Sequence, residues 1–95
     1  MAKGDVYKDY NHELADDGEI TVQPAGTAEA VIHNIWHGGD CEIYLSDGNA
    51  TLIESPTGVG VEARHYHVTN GQYLIIKNIS GGAGGFGFDG MYTKA

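Results

Sequence analysis

Ninety-five residues are enough for one domain, and a formal charge of −8, from thirteen acidic against five basic side chains, argues against a surface that grips phosphates, so no nucleic-acid partner is expected. No apolar run approaches the roughly 20 residues a membrane span requires, and the start, MAKGDVYKDY, lacks the apolar stretch of a secretion signal, so the expectation is a chain made in the cytoplasm and without a membrane partner. One cysteine, Cys41, excludes an internal disulfide, and no Cys-His spacing suggests a structural zinc.

Met1 to Gly18 is polar and weakly patterned. Its only large apolar residues past the first are Val6, Tyr7, Tyr10 and Leu14, which suit either a frayed terminus or an extended arm that orders against a partner (residues 1–18), ahead of the domain proper (19–95). Glu19 to Gln23 reads as a strand with Ile20 and Val22 on one face, stopped by Pro24. Ala28 to His37 is a second strand, apolar on both faces (Ala30, Ile32 and Trp36 against Val31 and Ile35), which predicts cover on both sides. Gly38-Gly39-Asp40 turns into Cys41 to Ser46, where Cys41, Ile43 and Leu45 alternate with polar neighbours. Asp47-Gly48-Asn49 supplies a tight turn, and Thr51 to Ile53 returns as the partner of a β-hairpin.

Pro56 to Gly60 is expected to be a loop and Val61 to Val68 one strand. Asn70-Gly71 predicts a second two-residue hairpin into Gln72 to Asn78. Ser80 to Gly85 (SGGAGG) reads as a loop before a last strand from Phe86 to about Tyr92. The sum is all-β: about seven antiparallel strands in a small sandwich or barrel, with no helical period. A chain of this length buries only roughly 64% of its unfolded surface. Fifteen glycines raise the entropic cost of folding further, so self-association or docking is expected to add stability.

His65 and His67, two apart on one strand, would share a face and could hold a metal; His33 and His37 also share a face but lie too far apart to meet on one ion unaided. The cupin pattern that such a pair suggests needs a carboxylate a few residues on and a later histidine. Val68-Thr69-Asn70-Gly71 follows instead and no further histidine occurs, so no metal or cofactor is expected. Gly82 to Gly87 (GAGGFG) fits a dinucleotide-binding pattern by letter but has no βα context around it. No serine sits in a nucleophile elbow and Cys41 opens a strand, so an enzyme is not expected.

Three blocks carry a resemblance: Val31 to Ser46 with its turn, Tyr66 to Asn78, and Phe88 to Lys94, most tellingly in IHNIWH, HVTNGQYL and FDGMYTK. Together they resemble small virion structural proteins of tailed bacteriophages, over about Glu19 to Lys94. The resemblance implies a virion component without a catalytic site. The expectation built on it is a capsid decoration protein on the head exterior, trimeric, with the major capsid protein as partner and Val6, Tyr7, Tyr10, Leu14 and Trp36 as candidate interface residues. The rival expectations are a receptor- or glycan-binding module of a tail or fibre, stacking sugars on Trp36, Tyr66 or Tyr73, and a small cupin-like enzyme using His65 and His67.

Overall fold

A computed structural model describes residues 2–95. It is all-β and contains nine strands: β1 (Val6–Leu14), β2 (Glu19–Val22), β3 (Glu29–Gly38), β4 (Cys41–Ser46), β5 (Ala50–Glu54), β6 (Val59–Glu62), β7 (Tyr66–Thr69), β8 (Tyr73–Asn78) and β9 (Gly84–Lys94). One antiparallel sheet, A, runs β1-β9-β3-β6, with β7 on the same edge of β3 as β6. The other, B, runs β2-β8-β4-β5. Alternate residues of both sheets face inward and close a core of Ile20, Val22, Ile32, Ile43, Ile76 and Phe86 with their neighbours. Nearly every connection crosses from one sheet to the other. With β6 and β7 counted as one interrupted strand, four face four in the double-Greek-key order of a jelly roll.

The segment expected as an N-terminal arm is a strand of this fold. β1 pairs with β9 from Val6↔Met91 to Leu14↔Gly84, Leu14 is buried, and the Tyr7 ring packs on Phe88 and Tyr92 at 5.0 and 4.7 Å between centroids. Tyr7 and Leu14, expected as anchors for a partner, are therefore spent on the protein's own core. The Tyr7 phenol, withdrawn from water, is pushed up to about 12 by burial first and by Tyr92 second.

β3 is not apolar on two faces. A bulge at His33, between the pairs Ile32↔Gly90 and Asn34↔Asp89, reverses the alternation midway. Ala30 and Ile32 point inward before it and Ile35 and His37 after it, which turns Trp36 out. Opposite the bulge the single strand expected over Val61 to Val68 is broken: β6 pairs with Ile35 to Gly38 and β7 with Glu29 to Ile32, leaving residues 63–65 out of the ladder. β6 itself begins inside the expected loop. Gly90 faces β3 here so closely that a Cβ on it would strike the Val31 carbonyl and Ile32 Cα.

The β4–β5 hairpin forms as expected, with Ser46↔Ala50 closing a three-residue loop in which Gly48 takes φ 109°. Asn70-Gly71 does not make a second hairpin. Neither residue has positive φ, and the turn carries the chain from β7 in sheet A to β8 in sheet B. It is held by Thr69 N–H donating to Gln72 O (2.7 Å) and by the Asn70 amide donating to Pro24 O (3.1 Å). At the end of β8, buried Asn78 donates to Leu14 O (2.9 Å) and Gly82 O (2.9 Å) and accepts from Ser80 N–H (2.9 Å). That one amide ties β1 to the loop leading into β9.

Candidate functional site

The outer face of sheet A holds a groove of about 690 Å³. Its geometry follows from three neighbouring strands whose outward residues line up in rows. Val6, Met91 and Val31 make one row; Lys8 and Asp89 the next, with Asn34; Tyr10, Gly87 and Trp36 the third. The glycine-rich stretch GAGGFG does not line the groove but provides the bed on which its Tyr10 wall rests. Gly85 and Gly87 lie in β9 with no side chain on the outer face, and the Tyr10 ring occupies the space, so that a Cβ on either glycine would collide with it. Trp36, turned outward by the bulge, brings its ring to 5.9 Å from Tyr10, and Tyr10 also meets His12 edge-on at 4.7 Å. Both Tyr10 and Trp36 keep about 40% and 39% of their surface exposed.

Polar groups stand between the aromatic row and the Val6–Met91 row. Asn34 Nδ2 donates to Asp89 Oδ1 at 3.0 Å and fixes that carboxylate at the groove floor. His33, displaced by the bulge, lines the groove and stacks edge-on against His65 at 5.3 Å. Of the expected interface residues, then, Val6, Tyr10 and Trp36 converge on one groove. Of the expected sugar platforms only Trp36 is in it: the Tyr66 hydroxyl donates to Glu54 and its ring packs against the core, and Tyr73 is half-buried in sheet B.

Of the other exposed apolar side chains, Leu45, Leu52 and Ile53 come from the β4–β5 hairpin on the flank away from β1, whereas Val59 and Val61 lie on β6 in sheet A, with Val61 paired directly with Trp36. β5 is the open edge of sheet B, and its first four residues, Ala50-Thr51-Leu52-Ile53, are exposed and carry no charge. Natural edge strands are usually blunted by lysine, proline or cover, and this one has none of these.

Between the two sheets on that flank lies a polar seam that the sequence does not reveal. His37, buried at the end of β3, places Nδ1 2.6 Å from Gly58 O and Nε2 3.1 Å from Glu62 Oε2. Glu62 meets Glu54, which receives the Tyr66 hydroxyl and the Arg64 guanidinium (3.1 Å). The His37 hydrogen bond foremost holds the Glu62 carboxyl below the usual carboxylate range, while burial foremost, then Glu54, pushes the Tyr66 phenol upward. The Cys41 thiol, buried beside this seam, is pushed up to about 12 by burial and then by Glu62 and Glu54, which leaves it protonated and unreactive at neutral pH.

His65 and His67 do not act as a pair. His65 falls in the break between β6 and β7, whereas His67 faces outward from β7 and meets Glu29 at 3.2 Å, which Lys94 also approaches at 3.7 Å. Among the described residues no group of three histidine, cysteine or acidic side chains is placed to hold a metal ion. The chain matches no protein-family model and no curated protein.

Proposed function

We propose that the chain is a virion structural protein of a tailed bacteriophage, a decoration protein that works as a trimer on the outside of the head and stabilises the shell by bridging neighbouring major capsid subunits. The observation that carries this reading is the open edge of β5, uncharged from Ala50 to Ile53, with the exposed apolar side chains of its own hairpin, Leu45, Leu52 and Ile53. A free edge offers a row of backbone donors and acceptors to an incoming strand, and the flanking side chains give that strand apolar contacts. The role is binding without catalysis. The resemblance of IHNIWH, HVTNGQYL and FDGMYTK to phage virion proteins supports the reading, and jelly rolls recur in viral capsids, although the fold alone assigns no function.

The test uses heads from the parent phage with this gene deleted. Purified protein should bind them and raise their resistance to heat. Leu52→Lys with Ile53→Lys should lower occupancy at least about tenfold, the loss of one well-packed apolar contact. Heads that take up no protein, or that take up the lysine variant as well as the wild type, would defeat the proposal.

A further inference from the structure

We infer that the groove on the outer face of sheet A is a binding site for a neutral saccharide, separate from the β5 flank that docks on the shell. Its volume of about 690 Å³ lies within the range of roughly 300–1,000 Å³ typical of small-ligand clefts. The lining has the two kinds of surface that a sugar ring presents. Trp36 and Tyr10 offer exposed aromatic faces to the axial C–H side of a pyranose, and their amphipathic rings stay wet at one end. Asp89, held through Oδ1 by Asn34, keeps Oδ2 available to accept from ligand hydroxyls. Lys8 supplies a donor at one side and the His33 ring a donor or acceptor at the other.

Charge selects among occupants. Lys8 against Asp9 and Asp89 leaves the groove with one excess negative charge, on a chain whose formal charge is −8. A phosphate, a sulfated sugar or a sialic acid would bring its anion beside two carboxylates. A purely apolar ligand would bury Asp89 and Lys8 without replacing their water. A neutral polyhydroxylated ring satisfies both constraints, because each hydroxyl can donate to a carboxylate and accept from an ammonium.

Construction of the site also sets its rigidity. Gly85 and Gly87 let the Tyr10 ring lie close on β9, and the bulge that turns Trp36 outward is fixed on both sides by backbone pairing. The platform is therefore formed before any ligand arrives, which lowers the ordering cost of binding.

Trp36 is the only tryptophan, so emission excited selectively in the tryptophan band, away from the six tyrosines, reads this groove. The intact protein would be titrated with the methyl glycosides of glucose, galactose and mannose, with N-acetylglucosamine, with N-acetylneuraminic acid and with glycerol. A saturable change in emission is expected with at least one neutral sugar and with neither the sialic acid nor glycerol. Asp89→Asn, which keeps the shape and the contact with Asn34, should weaken that sugar about tenfold, the usual cost of losing one charge-assisted hydrogen bond. Gly85→Ala, whose methyl would run first into the Tyr10 side chain, should weaken it by displacing the ring. Both variants would be checked for native circular dichroism, and Asp89→Asn stands alone should Gly85→Ala fail to fold. No saturable response to any neutral sugar overturns the assignment. So does an equal response to glycerol, tighter binding of the sialic acid, or undiminished binding by Asp89→Asn.

Discussion

At the scale of single residues the most consequential contact is His37 with Glu62. Gly58 O can only accept, so Nδ1 of His37 carries a proton, and the Nε2 contact with the Glu62 carboxylate is a hydrogen bond only when a proton lies between them. The Glu62 carboxyl is held below its ordinary value of 4.5 in the folded chain, by His37 first. A depressed folded value means that the unfolded chain takes up the proton first as pH falls. The contribution is therefore complete above the ordinary value and is lost as pH drops through the folded one. Urea midpoints from about pH 3 to 6 should fall more steeply for the wild type than for Glu62→Gln, and the gap between the two should narrow towards low pH. Parallel curves would rule out the pairing as a source of stability. Asn78 makes the second prediction at this scale. Replacing it by Ala takes the amide donor from the Leu14 carbonyl, leaves the Gly82 carbonyl with the Ser80 hydroxyl alone, and should cost about 2 kcal/mol or more in urea unfolding. A loss under about 0.5 kcal/mol would mean that water takes over the Leu14 carbonyl. Neither residue could be picked out from the chain: Glu62 lies twenty-five positions from His37, and Asn78 looks like an ordinary strand end.

At the scale of elements, the strands that alternate cleanly were legible and those that break alternation were not. β8 shows its inward residues every second position, β4 does so through Cys41 and Ile43 before its end turns Leu45 out and Ser46 in, and Asp47-Gly48-Asn49 names the turn that leads into the exposed β5. β1 hides because, of its nine residues, only Leu14 is buried and only Tyr7 half-buried, too few to draw a period. β3 misleads because a one-residue bulge turns an ordinary one-faced strand into an apparently two-faced one. Asn70-Gly71 misleads because a dipeptide does not disclose whether its flanking strands share a sheet. The groove was legible only in its parts: Val6, Tyr10 and Trp36 could be named, but their meeting depends on β9 lying between β1 and β3. The reassignment of β1 has a direct consequence. An arm could be removed without harm to the domain, whereas deletion of residues 1–14 here exposes the β9 edge, removes Leu14 and uncovers Phe88 and Tyr92. Loss of a buried leucine alone costs about 2–5 kcal/mol, a large share of what a small domain has. Cys41 gives the readout. Protected in the intact chain, it should react with a thiol reagent in the absence of denaturant once β1 is gone. A truncated chain whose thiol stays protected and whose melting temperature is unchanged would restore the arm.

At the scale of the whole molecule, a small core and an unguarded edge point to the same need. The two sheets stay open, with β1 and the interrupted β6–β7 strand at the edges of one and β2 and β5 at the edges of the other, and the His37–Glu62–Glu54 seam joins the sheets on the β5–β6 flank without covering β5 from outside. If the flank is where copies meet each other as well as the shell, the protein's stability is linked to its own concentration, because only the associated form hides Leu52 and Ile53. Dilution should then lower the melting temperature of the wild type, and sedimentation should show trimers giving way to monomers over the same range. Leu52→Lys with Ile53→Lys places two charges on the edge, as monomeric sheet proteins do, and should sediment as a monomer whose melting temperature no longer depends on concentration. Because both side chains are exposed in the single chain, the substitution leaves its core intact, and native thiol protection at Cys41 should verify that. A wild type that sediments as a monomer and melts at one temperature across the whole range would remove self-association through β5, and head binding by that monomer would then assign the edge to the shell alone.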